Sequence, residues 1–279
     1  MCSKLGIVTS KKDPASMNIR KVLLDLEDWY LSEYTFKDEP ILESKKYYLI
    51  TIRDDLIFSD YLKNLPIPIT GLIFASRHES KSKIPSLLVH FPGNWTDSAP
   101  YGGRPRSLSI ADPLRMKALF ITLLNVHHEY NLEGITVGIE VTHHGPTDLN
   151  FPSVFIEIGS SLEMWKNPKL GEIISRTILE HEKNIPDNNT IALGFGGPHY
   201  APNFVKIITQ KKFALSHIAP KYVLDYIDKN IILHAFERSN PVPEIAILDW
   251  KGMSRDHRMR IKDLISTYLG IDVIKTSEI

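Results

Sequence analysis

Short β-branched runs alternate along this chain with helical patterns, and three of the helices mark their own first turn. Asp13-Pro14, Asp112-Pro113 and Asn167-Pro168 each set a side chain that can accept from backbone amides directly before a proline. That pairing caps a helix and fills a first-turn position whose N–H has no intrahelical partner anyway. The spacing predicts helices over residues 14–26, 113–130 and 168–182. In the second, Leu114, Leu119, Phe120, Leu123 and Leu124 share one face. Strands are predicted at residues 5–9, 47–52, 71–75, 87–90, 135–142, 154–158, 191–195, 205–208 and 245–248. Residues 220–228 read as helical, and Ser254 caps a last helix to about Leu269. Strands alternating with helices imply an α/β fold with a mostly parallel or mixed central sheet and helices on both faces. With no repeat, low-complexity tract or linker, the expectation is one catalytic domain over residues 1–279. The Gly/Pro-rich segment 91–106 is its candidate lid or small subdomain.

Bulk properties exclude several classes. A chain of 279 residues is long enough to bury a full core. No apolar run approaches the roughly 20 residues that span a membrane, and residues 1–12 hold no signal-peptide core. The single cysteine, Cys2, excludes an internal disulfide and a cysteine-rich zinc module. The expected location is cytoplasmic, with no membrane contact. Lys plus Arg and Asp plus Glu balance at 33 each, so total charge does not point to nucleic acid. Local clusters do form, at Lys81/Lys83, Arg104/Arg106 and Lys206/Lys211/Lys212. Alone such clusters read as solvated faces; beside histidine loops they give a polyanion an approach.

The histidines carry the chemistry. Gly138-Ile139-Glu140-Val141-Thr142-His143-His144-Gly145-Pro146 is an apolar run stopped by two imidazoles and a turn. Gly194-Phe195-Gly196-Gly197-Pro198-His199-Tyr200 repeats the plan, and Arg77, His78 and Ser80 follow a third run. In a parallel α/β sheet ligands bind beyond the carboxyl ends of the strands. His78, His90, His143, His144 and His199 all fall at or past such predicted ends, so they are expected to converge on one rim. Glu140 and His144 share strand parity. Glu157 is a lone carboxylate in an apolar strand, costly to bury ionised without a cation or histidine. Carboxylate-oriented histidines suit a zinc or other divalent hydrolase, in which metal lowers the pKa of water. Metal-free general-base chemistry by the same imidazoles is the alternative, and the spacing matches no zincin pattern. Gly196-Gly197 and Gly102-Gly103 offer backbone amides to an anion. His127 reads as a core histidine and His181 as a partner of its helix dipole. Ser160 and Ser161 lack a nucleophile-elbow context.

These motifs together resemble the archaeal- and plant-type D-aminoacyl-tRNA deacylases. The resemblance is carried by Phe74-Ala75-Ser76-Arg77-His78-Glu79-Ser80, Val89-His90-Phe91-Pro92-Gly93-Asn94 and the two histidine loops. Phe155-Ile156-Glu157-Ile158-Gly159-Ser160 and His217-Ile218-Ala219-Pro220-Lys221-Tyr222 complete it. It runs from the first strand to about Lys221, and Pro198 departs from the small residue expected there. The resemblance implies a phosphorylase/hydrolase-type α/β fold, similar to peptidyl-tRNA hydrolase. It also implies a zinc-dependent esterase that converts D-aminoacyl-tRNA into free D-amino acid and tRNA. His143, His144 and His199 are then the leading metal or acid–base set. His78, Glu140 and Glu157 join them as catalytic candidates. Arg77, Ser80, His90, Gly196, Gly197, Tyr200 and Lys221 are candidates for substrate binding, Lys221 and Arg77 through phosphate. The rival readings are a nucleoside phosphorylase-like enzyme and a tRNA-binding protein without turnover. The oligomeric state is left open, a monomer included.

Overall fold

The computed structural model describes residues 3–279; Cys2 lies outside them. The chain runs β1 (Lys4–Ser10), α1 (Pro14–Leu26), β2 (Tyr30–Phe36), β3 (Glu39–Glu43), β4 (Tyr47–Ile52), β5 (Ile69–His78), β6 (Ser86–His90), β7 (Gly93–Asn94), β8 (Ser107–Leu108) and α2 (Pro113–Tyr130). It continues through β9 (Thr136–Ile139), β10 (Ser153–Gly159), α3 (Leu162–Lys166), α4 (Pro168–Glu180), β11 (Thr190–Phe195), α5 (Pro202–Gln210) and β12 (Phe213–Ala219). Then come α6 (Lys229–Glu237), β13 (Ile245–Leu248), α7 (Arg255–Tyr268) and β14 (Asp272–Lys275). The proline-opened helices start where the sequence places them. Asp13 accepts from the Ala15 and Ser16 amides, Asp112 from Arg115 and Asn167 from Lys169.

The strands form an eight-stranded mixed sheet, ordered β2-β3-β4-β1-β5-β10-β6-β9, and a four-stranded sheet, β12-β11-β13-β14. The smaller sheet is wholly parallel. In the larger one β4, β1, β5 and β10 run parallel, but β6 pairs antiparallel with β10 and carries β9 with it. Strand alternation sends Ile7, Ile73, Ala75, Ile156 and Ile158 to one face, under α1, α2 and α4. That core is continuous with Ala192, Leu215, Ile218 and Ile247 of the smaller sheet. The opposite face carries Val8, Leu72, Phe74 and Phe155 and is covered by 3-10 turns and loops through Leu56, Leu62 and Leu149.

Several elements differ from the sequence reading. Residues 205–208 are not a strand: Phe204, Ile207 and Ile208 bury one face of helix α5, the i, i+3, i+4 spacing that a β-branched run disguised. The strand expected over 135–142 stops at Ile139, so the parity argument linking Glu140 to His144 does not apply. The helical run over 220–228 is a 3-10 turn, Lys221–Tyr226, and His217 lies inside β12. Strands β2, β3, β7, β8, β12 and β14 and helix α6 had no sequence expectation. In segment 91–106, β7 pairs with β8, the Asn94 amide donates to the carbonyls of Gly102 and Arg104, and Trp95 Nε1 donates to the Thr142 carbonyl at 3.1 Å.

Candidate active site

The larger sheet supplies the floor through its face free of α-helices. Glu157 shares parity with Phe155 on β10, His78 with Phe74 on β5, and His90 with Leu88 on β6, so all three project to that side. The register sets Gly159 beside His78 and Phe155 beside His90. Because β6 runs against β10, His78 and His90 flank Glu157 from opposite directions along the strands. The shared carboxyl-end rim expected from the sequence is therefore replaced by a patch on the face of the sheet.

The wall comes from a crossover between the sheets. The Glu140 amide donates to the Val89 carbonyl of the larger sheet at 3.1 Å. One residue later Val141 donates to His199, and Thr142 then donates to Ile218 of the smaller sheet, each at 3.0 Å. Three consecutive amides thus carry the chain from one sheet to the other. The turn is closed by Gly93, whose amide donates to the carbonyls of His143 and His144. His144 adopts a left-handed backbone, φ 48°, a conformation costly outside glycine and often found at functional sites.

These pieces form one connected network. His78 Nδ1 lies 3.4 Å from Glu140 Oε2 and 3.4 Å from Glu157 Oε2, and His90 Nε2 is 3.8 Å from Glu157. His199 Nε2 approaches Glu140 Oε1 at 2.8 Å. The ring of His143 packs on His90, His144 and His199, with centroids 4.2, 4.4 and 4.7 Å away. Both glutamates and His90 are buried. Ligand atoms close into three groups: His90–His143–His144, Glu140–His143–His199 and His78–Glu140–Glu157. Among the described residues His144 and His199 meet through His143, since no group holds both.

The imidazoles divide by charge. Burial pulls His78 downward, but the adjacent carboxylates of Glu140 and Glu157 outweigh it and raise its pKa to about 11. Burial and the neighbouring His90 push His143 well below its usual value, and the same causes bring His144 to about 4. Against the cost of burial, His199 and His78 hold Glu140 ionised. Both neutral rings use Nδ1 on a backbone carbonyl, His143 on Val141 at 2.8 Å and His144 on Gly145 at 2.7 Å. His90 Nδ1 faces the Phe91 carbonyl at 3.2 Å. A carbonyl can only accept, so in His143 and His144 the proton sits on Nδ1 and Nε2 presents a lone pair, the arrangement outer hydrogen-bond partners impose on metal-binding histidines. His90 also keeps a proton on Nδ1, and although burial lowers its pKa the carboxylate of Glu157 outweighs this and raises it. His90 Nε2 and both Glu140 oxygens are buried without a hydrogen bond of proper geometry. Buried polar atoms so left are rare, and a divalent cation among His90, His143, His144, Glu140 and His199 would satisfy them.

The remaining candidates fall around this centre. The Tyr200 hydroxyl is 3.2 Å from His78 Nε2. Lys221 is exposed, its amide donating to the Gly197 carbonyl at 3.0 Å. Gly197 takes a positive φ against Asp249, while the Gly196 amide is used on the Ala219 carbonyl. The Arg77 guanidinium lies between Asp55 and Glu79 and over Trp165, so its charge is locally balanced. Ser80 Oγ faces Ser82 and Ser160. His90, expected to touch substrate, has no exposed surface and sits among the ligand groups. Tyr222 was missed: its hydroxyl meets His199 Nδ1 at 3.0 Å, and only its place beside Lys221 in a recognised block hinted at the site.

Comparison with known proteins shows the family. Residues 66–274 match the D-aminoacyl-tRNA deacylase family, a span that holds every residue of the network. The D-aminoacyl-tRNA deacylase of Pyrococcus furiosus is 41% identical over 274 residues, covering 96% of this chain and 98% of that protein. The D-aminoacyl-tRNA deacylase of Methanosarcina barkeri is 37% identical over 285 residues, covering 99% and 90%. The crystal structure of a conserved protein of unknown function superposes with a TM-score of 0.90 at 28% identity, covering 99% of this chain and 96% of that one. The chain belongs to the D-aminoacyl-tRNA deacylase family.

Proposed function

We propose that the buried histidine–glutamate network is the centre with which this chain, a D-aminoacyl-tRNA deacylase, cleaves the ester between a D-amino acid and the 3′ end of tRNA. The products are free D-amino acid and tRNA. The observation that carries the assignment is the convergence of three imidazoles, His90, His143 and His144, each with Nδ1 on a backbone carbonyl. With Glu140 and His199 beside them they form an N/O donor set of the kind zinc takes. Zinc held there would supply a Lewis acid for the ester carbonyl and lower the pKa of water.

The chain's own groups do the rest. Glu157 orients His90 and His78 from the floor. Glu140 fixes the ring of His199, which like His143 and His144 is partly exposed. With Tyr222 at its other nitrogen, His199 has both ring nitrogens partnered and is held in a fixed orientation at the edge of the donor set. Lys221 is placed for a phosphate of the tRNA end. Fixing the carbonyl and the amino group leaves one direction open for the side chain, so the L form meets protein where the D form meets space. The network is complete within one chain, which supports a monomer as the working unit. No helix among the described residues is long and apolar enough to cross a membrane, and we place the reaction in the cytoplasm, where tRNA is charged.

The test is D-Tyr-tRNA and L-Tyr-tRNA incubated with the protein, with and without a chelator. The expected outcome is release of D-tyrosine only, abolished by chelation and restored by zinc. Equal cleavage of both esters removes chiral selection, and chelator-resistant cleavage removes the metal.

A further inference from the structure

We propose that Tyr200 and Tyr222 form a stacking platform for the unpaired 3′-terminal adenosine of the tRNA, an inference that rests on the deacylase reading above. Both tyrosines expose ring surface beside an otherwise buried centre, 37% for Tyr200 and 54% for Tyr222. Both turn their hydroxyls inward, Tyr200 to His78 Nε2 at 3.2 Å and Tyr222 to His199 Nδ1 at 3.0 Å. The Tyr200 ring also packs edge-on against His199, with centroids 5.4 Å apart at 89°. An aromatic ring tethered at its hydroxyl has few rotamers left to lose, so it offers contact area at low entropic cost.

The two rings stand on different loops that brace each other. Tyr200 follows the glycine turn after β11, and Tyr222 lies in the 3-10 turn after β12. The amide of Lys221 joins them through the Gly197 carbonyl at 3.0 Å. Lys221 itself is exposed, and its ammonium has no partner among the described residues.

The chemistry of the substrate selects the occupant. The scissile ester is on a hydroxyl of the terminal ribose, so a carbonyl held at the histidines leaves the base of that same ribose one sugar width away. Both tyrosine hydroxyls contact histidines of the network, Tyr200 at His78 and Tyr222 at His199, while both residues stay exposed. Proteins recognise unpaired RNA ends by stacking bases on aromatic faces and meeting phosphates with cations. Stacking tolerates any base and fits a terminus common to all tRNAs, so this platform serves an enzyme that acts on many of them.

A tRNA carrying 2-aminopurine in place of the terminal adenine reports stacking as lost fluorescence. Wild-type protein and Tyr222→Phe are expected to quench it, and Tyr222→Leu and Tyr200→Leu to leave it bright. In steady state, KM for D-Tyr-tRNA is expected to be roughly 5- to 100-fold higher for Tyr222→Leu than for Tyr222→Phe. On D-tyrosine ethyl ester, which has no base, these two variants should agree, since both lack the hydroxyl. Equal KM values on tRNA, or a full quench by the leucine variants, overturns the platform. Tyr200→Leu, on the other loop, tests the same surface independently of how Tyr222→Leu folds. Quenching without cleavage by the wild type would count against the deacylase reading and leave the platform standing; cleavage without quenching overturns the platform alone.

Discussion

His78 and His144 belong to one network and carry opposite charge. Two carboxylates hold His78 as a cation near neutral pH, while burial and His90 keep His144 neutral. A neutral imidazole can bind metal or take a proton; a caged cation can do neither until a carboxylate is occupied elsewhere. His144→Ala should therefore cut kcat by roughly 10²- to 10⁴-fold with little change in tRNA affinity. Full kcat in that variant takes His144 out of the chemistry. Lys221→Ala should do the reverse, raising KM and lowering the slope of log KM against log salt by about 1. Glu157→Ala removes the carboxylate shared by two buried histidines. Leaving a buried charge without its partner costs about 3–5 kcal/mol, which a urea titration at neutral pH would read as a lower midpoint at unchanged slope. The need of Glu157 for a cation was legible from its apolar strand; its partners were not, because register across β5, β10 and β6 is a tertiary choice. Tyr222 was hidden for the same reason, its hydroxyl reaching the site from a turn with no signature of its own.

Elements with a local cause were read well from the sequence. The capped, proline-opened helices α1, α2 and α4 need only their first turns to announce them, whereas α5 misled because its isoleucines and valine satisfy strand propensity and helix spacing together. The direction of β6 was not legible at all: a buried apolar run reads the same either way, and only its pairing with β10 brings His90 to Glu157. The end of α4 shows a second effect of tertiary context. His181, expected as a charged partner of the helix dipole, donates Nδ1–H to the Ile178 carbonyl at 2.7 Å, and its Nε2 accepts from Arg115 at 2.9 Å. Arginine only donates, so the ring must be neutral, and burial followed by the Arg115 charge lowers its pKa to about 4. The unfolded chain binds this proton near pH 6.5 and the folded one only near 4. The stabilisation is present above about pH 6.5 and is lost as pH falls toward 4. Between pH 7 and 5 this residue should withdraw up to about 2 kcal/mol. His181→Gln, uncharged throughout, should flatten the dependence of the urea midpoint over that interval; an unchanged slope would mean that the ring is already charged in the native protein.

Across the whole molecule, the site exists only where two sheets meet. Glu140, His143 and His144 ride on a segment bonded to the larger sheet at one residue, to the loop after β11 at the next and to β12 at the third, and His199 comes from that loop of the smaller sheet. One apolar cluster runs beneath both, from Ile7 and Ile156 through Leu119 to Leu215 and Ile247. Shared apolar burial makes opening either sheet expose surface on both, which predicts a single unfolding transition with coincident far- and near-ultraviolet dichroism. A metal bound across the crossover stabilises only the state in which both sheets are in place. At zinc a thousandfold above its dissociation constant this adds about 4 kcal/mol, so the one midpoint should move upward with zinc and fall back with chelator. In His143→Ala, which removes the imidazole common to two of the ligand groups, the shift should largely vanish. Two resolved transitions, of which zinc moves only one, would mean that the sheets are independent units and that the centre belongs to one of them. A single transition that ignores zinc would keep the shared core and exclude the crossover as the metal's seat.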